Sequence, residues 1–192
     1  MNVYDFDKTI YCRDSTVDFY FYCIRRQPGL LLYLPRQLAA FISYGLHRID
    51  KTQMKERFYC FLQGIRDAEA YVDAFWTSHA DGIMAWYRKK QQPDDIVISA
   101  SPQFLLAPIC ARLGIRHLLA SRVDIKTGHY TGKNCHGEEK VRRFMQQFGN
   151  MPIDSFYSDS QSDTPLASLA CHSYLVQNGS ISPWPEANCS RK

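Results

Sequence analysis

An α/β fold, with a mostly parallel, Rossmann-like sheet covered by helices on both faces and a helical cap inserted into it, is predicted by three observations. Short β-branched and aromatic runs alternate with helix-period segments. One all-helical interval is too long for a single crossover. Isolated polar residues stand at the ends of the apolar runs. At 192 residues, with 45% hydrophobic and 14% aromatic side chains, the chain suits one sizeable domain or a core domain with a small insertion, and general disorder is excluded.

Taken in order, Asn2 to Phe6 forms a first short strand. Asp14 or Ser15 caps a helix that runs to about Arg26, where Pro28-Gly29 stops it. Thr52 to Gln63 carries Met54, Phe58, Phe61 and Leu62 at helical spacing, and Ala68 to Lys90 continues with Tyr71, Val72, Phe75, Ile83, Trp86 and Tyr87. The period then changes. The run DDIVISAS is a strand ending at Ser99, and Pro102 opens a helix that stops at Gly114. HLLAS is another strand, RVDIKTGHYTGK reads as a small hairpin around Thr127-Gly128, and Glu138 to Phe148 is a helix ended by Gly149. DSFYSDS makes a further strand, Pro165 opens a helix, and HSYLVQ supplies the last strand before a polar tail in which Pro183 and Pro185 discourage order. The expected division is a core of residues 1–14 and 93–192 with a helical cap of residues 15–92.

The net charge of +4 is mild, and no basic run exceeds Arg88-Lys89-Lys90, so a nucleic-acid partner is not expected, while attraction to an anionic substrate stays open. Seven cysteines without CxxC spacing fit reduced thiols, which makes the cytoplasm the expected location. Asp5 stands where the apolar stretch of a secretory signal would have to run. The most apolar stretch, GLLLYLPRQLAAFISYGL from Gly29 to Leu46, is interrupted by Pro35, Arg36 and Gln37 well short of the ~20 uninterrupted apolar residues of a span. It reads as a pair of buried helices joined at the proline, in preference to a segment lying on a membrane.

The polar residues at the strand ends carry the chemistry. In DFDKT, Asp5 and Asp7 project to the same side of an extended chain, where two like charges raise each other's pKa unless a cation sits between them. Ser99 ends the next strand, and Asp159 and Asp163 end or follow SFYSD. Ligands of open α/β sheets bind outside the carboxyl ends of the strands, so these groups meet in one crevice. Oxygen-only donors suit a hard octahedral ion, Mg²⁺ above all.

Four motifs in order, DFDKT, Ser99 in IVISAS, Lys140 in GEEKV, and YSDSQSD, resemble those of the haloacid-dehalogenase superfamily of phosphotransferases over nearly the whole chain. The resemblance implies a phosphomonoester hydrolase acting on a small phosphorylated metabolite. Asp5 is then the nucleophile and Asp7 the general acid and base, while Thr9 steadies the loop. Ser99 and Lys140 hold the phosphoryl group. Mg²⁺ lies between Asp5, the backbone carbonyl of Asp7, and Asp159, and Asp163 holds its waters or orients Lys140. The helical insertion is similar to the cap of the phosphoserine-phosphatase-like group, in which Asp14, nine residues after Asp5, recognises the substrate's polar end. Asp14 equally reads as the helix cap, and Arg57 is a candidate for a substrate carboxylate. The fourth motif departs from that group. Ser158 and Ser160 replace the two glycines usual around the aspartate, which looks more like a branch that includes bacterial phosphatidylglycerophosphate phosphatases. That likeness implies an alternative, a lipid phosphatase in peripheral contact with the inner face of the membrane. A non-catalytic phospholigand-binding module is a third reading, which predicts a missing nucleophile, acid or metal ligand; none is missing.

Overall fold

The computed structural model describes residues 1–185. Its six strands, β1 (Asn2–Tyr4), β2 (Ile96–Pro102), β3 (His117–Ser121), β4 (Ile153–Ser158), β5 (Ala170–Gln177) and β6 (Ser180–Pro183), form one sheet in the order β3-β2-β1-β4-β5-β6. All pairings are parallel except β5 with β6. From β1 the chain first extends the sheet on one side through β2 and β3, then crosses back to place β4 on the other. That reversal leaves a crevice at the carboxyl ends of β1 and β4.

Successive residues of β1 enter opposite cores, as the period of a strand requires. Val3 packs with Ile96, Ile98, Phe156 and Phe144 on one face, beneath α7 (Glu138–Phe148) and the single turn α8 (Thr164–Ala167). Tyr4 packs on the other face, where it stacks on Tyr157, and Tyr157 on Tyr174, with ring centroids 4.9 Å apart in both pairs. α1 (Ser15–Arg26), α4 (Ala68–His79), α5 (Ala85–Lys90) and α6 (Gln103–Arg112) share that second core, with Trp76 donating to the Leu105 carbonyl at 2.6 Å. The helical interval therefore divides: α4 and α5 cover the sheet beside α6, while α1, α2 (Leu34–Gly45) and α3 (Lys51–Phe58) contribute the walls that stand over the strand ends.

Several elements differ from expectation for local reasons. The helix expected over Ala68 to Lys90 breaks at residues 80–84, because this segment pairs with the loop after β1. Cys12 donates to the Gly82 carbonyl and Met84 to that of Ile10, and a Cβ on Gly82 would lie 2.4 Å from the Tyr11 ring. The helix expected to reach Gln63 ends at Phe58 and tightens into a 3-10 turn, Tyr59–Gly64, that buries Tyr59, Cys60, Phe61 and Leu62. The hairpin around Thr127-Gly128 is one isolated bridge, Val123 to Tyr130, since the Asp124 carboxylate holds the turn by accepting from the amides of Lys126 and Thr127. The tail expected to lack order contains β6. Asn178 and Gly179, at φ of 51° and 82°, make the two-residue turn that Asn-Gly favours, and Pro183 is tolerated at the end of an edge strand. Residues 186–192 of that tail lie outside the described residues.

The largest departure concerns Gly29 to Leu46. The helices form, as the 3-10 turn Pro28–Tyr33 followed by α2, but they are not buried: Leu30, Gln37 and Ala40 face inward while Leu31, Leu32, Leu34, Leu38, Phe41 and Ile42 are exposed. Among the described residues no helix is long and apolar enough to cross a membrane. The six cysteines of the described residues are free.

The turn at Gly128 docks against the insertion. Gln63 donates to the Thr127 carbonyl at 3.0 Å, the Tyr130 amide donates to Glu56 at 2.8 Å, and a Cβ on Gly128 would lie 2.6 Å from the Tyr59 carbonyl oxygen. Gly114 has a similar backbone, φ 73° against 79°, but open space around it. Gly114→Ala should therefore cost about 1 kcal/mol from backbone strain alone and Gly128→Ala about 2–3 kcal/mol. Equal losses of melting temperature in the two variants would refute the close approach.

Candidate active site

Asp5 follows the last residue of β1 and is held by its amide, which donates to the Tyr157 carbonyl of β4 at 2.8 Å. Beyond it the chain makes a tight turn in which the amides of Ile10 and Tyr11 both donate to the Phe6 carbonyl, each at 2.9 Å, and Lys8 sits at a φ of 56°. This turn folds Asp7 back towards α1. Its carboxylate accepts from the Ser15 amide at 2.7 Å and from the Ser101 hydroxyl. Thr9 is fully buried within the turn, its hydroxyl without a hydrogen-bond partner among the described residues.

The Lys140 side chain, from the first turn of α7, runs under the crevice and donates to Asp5 at 2.7 Å and to Asp163 at 2.6 Å. Ser158 at the end of β4 also donates to Asp163, at 2.7 Å, so this carboxylate is taken up by the lysine and does not cap α8. Burial pulls the ammonium down, but the two carboxylates outweigh it and hold Lys140 above its ordinary range. Burial pushes Asp5 up, with the ammonium opposing. Burial also raises Asp7 to about 6, the negative charge of Asp14 adding to the effect and the Ser101 and Ser15 hydrogen bonds opposing it. Asp159 is half-buried and likewise raised by burial.

These groups share a cleft of about 360 Å³. Asp5, Asp7, Ser99, Lys140, Asp159 and Asp163 all line it, and so does Asp14, which serves at once as the cap of α1 by accepting from the Val17 amide at 3.0 Å. Arg57 is not brought there; it lies exposed on α3, outside the lining. The cation from that helix is Lys55, one turn along from Lys51. It reaches the Ala100 carbonyl at 3.2 Å, and burial, with Lys51 nearby, lowers its pKa. Lys51 Nζ stands 3.0 Å from His136 Nε2, and burial and then Lys51 hold that imidazole below its usual range. Ser101 carries no periodic signal, since the strand is irregular between Ser99 and Pro102 and it is that bulge, not alternation, that accompanies its turn towards Asp7. Lys51 and Lys55 carry none either: at i and i+4 on a polar helix they look solvated.

The donor set has room for a metal ion. Lys140 occupies one oxygen of Asp5, but neither the other oxygen nor the Asp159 carboxylate accepts from a side chain among the described residues, although both residues line the same cleft. Asp7 is engaged through its side chain, which leaves its carbonyl as the group to face an ion. Among the described residues no three His, Cys, Asp or Glu side chains form a ready cage. Two carboxylates, one carbonyl and water are nonetheless the kind of set Mg²⁺ accepts, so the residues fit.

A family model described as haloacid dehalogenase-like hydrolase matches residues 3–168. The chain is 28% identical over 183 residues to the protein CicA of Caulobacter vibrioides, an alignment covering 87% of this chain and 81% of that protein. The fold is similar to a protein of unknown function from Bordetella pertussis Tohama I, with a TM-score of 0.72 at 21% identity over 90% of this chain and 87% of the other. It is also similar to a phosphoserine phosphohydrolase-like protein from Francisella tularensis subsp. tularensis SCHU S4, with a TM-score of 0.55 at 16% identity over 90% and 86%.

Proposed function

The chain belongs to the haloacid dehalogenase-like hydrolases, and on that premise we propose that it is a Mg²⁺-dependent phosphomonoester hydrolase working through an aspartyl-phosphate on Asp5. The observation that carries this reading is the chain Asp5–Lys140–Asp163 at the sheet crevice with Asp159 beside it.

In the first step an Asp5 carboxylate oxygen attacks phosphorus, the ester P–O bond breaks, and the leaving oxygen takes a proton from Asp7. A carboxyl raised to about 6 retains protons closer to neutral pH than an ordinary aspartate, which suits it to donate one. Ser15 and Ser101 aim it. In the second step Asp7 takes a proton from water as the water attacks the same phosphorus, and Asp5 is released with inorganic phosphate. Lys140 balances the negative charge of nucleophile and phosphoryl oxygens, Asp163 positions Lys140, and the hydroxyl of Ser99 donates to a phosphoryl oxygen. Mg²⁺ held by Asp5, Asp159 and the Asp7 carbonyl would supply the charge that lets an anion approach an anion.

The non-phosphoryl part of the substrate meets Val17, Phe41, Met54 and Phe58, with Lys51, Lys55 and Asp14 as the charged groups of that wall. This supports a phosphomonoester bearing apolar surface more than a bare amino acid. The test is hydrolysis of p-nitrophenyl phosphate. Treatment with EDTA should abolish turnover and Mg²⁺ should restore it, while Ca²⁺, larger and looser in geometry, should restore little. Full activity in EDTA would overturn the metal assignment.

A further inference from the structure

α2 is amphipathic in the reverse of the sense expected for a helix on a globular core. Its inward face carries Gln37, satisfied on both sides by the Tyr20 hydroxyl, which donates to it at 2.6 Å, and by the Phe58 carbonyl, to which it donates at 2.9 Å. Its outward face carries Leu34, Leu38, Phe41 and Ile42 at helical spacing, and the preceding turn adds Leu31 and Leu32, the latter 86% exposed. Eight of the fourteen large hydrophobic side chains exposed among the described residues fall between Leu31 and Leu46. That concentration distinguishes a functional patch from the scattered exposure common to protein surfaces.

Charge identifies the occupant. From Phe19 to Ile49 the chain carries Arg25, Arg26, Arg36 and Arg48 and not one carboxylate. A second copy seated on this face would bring like charges together across a two-fold axis, whereas an anionic surface would complement them. α2 has 12 residues and cannot span a bilayer, but an apolar stripe within a stretch of chain that carries arginines and no carboxylate suits a membrane interface. Phe41 belongs both to this face and to the lining of the catalytic cleft, so the patch adjoins the cleft.

We propose that the face formed by Pro28–Tyr33 and α2 docks onto an anionic lipid bilayer. The cleft then opens towards the bilayer surface and receives phosphomonoesters carried there, a consequence that rests on the phosphatase reading above.

Flotation with vesicles of phosphatidylcholine alone, and of phosphatidylcholine mixed with phosphatidylglycerol, tests the docking. The parent protein should float with the mixed vesicles, weakly or not at all with the neutral ones, and less as salt is raised. The double variant Leu32→Ser, Ile42→Ser, altered only at exposed positions, should melt at the parent's temperature and bind about tenfold less or weaker still. Failure of the parent to float, or equal binding by the variant, overturns the proposal. So does a parent dimer that the double variant abolishes, which would make a second copy the occupant. Binding needs no turnover and is read equally on Asp5→Asn, so loss of the phosphatase reading would show separately in p-nitrophenyl phosphate hydrolysis.

Discussion

Asp5→Asn is expected to lower phosphomonoester hydrolysis by about four orders of magnitude or more, because an amide oxygen cannot take the phosphoryl group and the remaining groups act only around that step. The fold should survive. In the variant Lys140 still pairs with Asp163 at 2.6 Å, so its ammonium is not left alone in the core, and the introduced amide oxygen can accept where the carboxylate did. A melting temperature within a few degrees of the parent together with lost turnover is therefore the predicted pair of results. Retained turnover would remove Asp5 from the mechanism, whatever the rest of the cleft does.

Lys140→Met is expected to be the most destabilising substitution in the site. Lys140 is 2% exposed and lies between two carboxylates, so its removal leaves Asp5 and Asp163 buried with no cation between them. Losing one partner of a buried ionic group costs about 3–5 kcal/mol, which in a chain of this size corresponds to a fall of roughly 10 °C in Tm. The loss should depend on pH. A buried carboxyl whose folded pKa exceeds its unfolded value binds more protons when folded, so its stability contribution is present at low pH and is lost as pH rises through the folded pKa. Burial already raises Asp5, and the variant lacks the ammonium that opposes the rise. The deficit of Lys140→Met relative to the parent should therefore be smaller near pH 5 than near pH 8 in thermal melts. Added Mg²⁺ should recover part of it by placing a cation beside Asp5. A deficit that is independent of pH would show that Lys140 contributes by packing its stem and not by its charge.

How much was legible beforehand differs from element to element. α7 runs from Glu138 to Phe148 and stops at Gly149 as its sequence indicates, because the stop is a local event, a glycine at positive φ. α1 begins after Asp14 for an equally local reason. The turn at Asn178-Gly179 is just as local, an Asn-Gly pair at positive φ, although the prolines beyond it alone set the expectation of a tail without order. By contrast, the break at residues 80–84 comes from pairing with the loop after β1, some seventy residues away, which no local pattern contains. The same holds for Arg57 and Lys55. Two residues apart on one helix, they are alike in propensity, and only the way α3 sits over β2 sends Lys55 to the Ala100 carbonyl and Arg57 to solvent.

Periodicity, caps and polar residues at the ends of apolar runs were enough to set the α/β order, the parallel core and the acidic groups that gather at the strand ends, whereas Lys140 was indicated only by the resemblance of its motif. Each of these is written in residues close together in the chain. Which partners those groups take depends on chain segments that meet only on folding: Asp163 on Lys140, Asp7 on Ser101, and Gln37 inward with Leu34, Leu38 and Ile42 outward. An amphipathic pattern states that a helix has two faces; which face meets the protein depends on the surface it packs against, and for α2 that surface is formed by Tyr20 of α1 and Phe58 of α3.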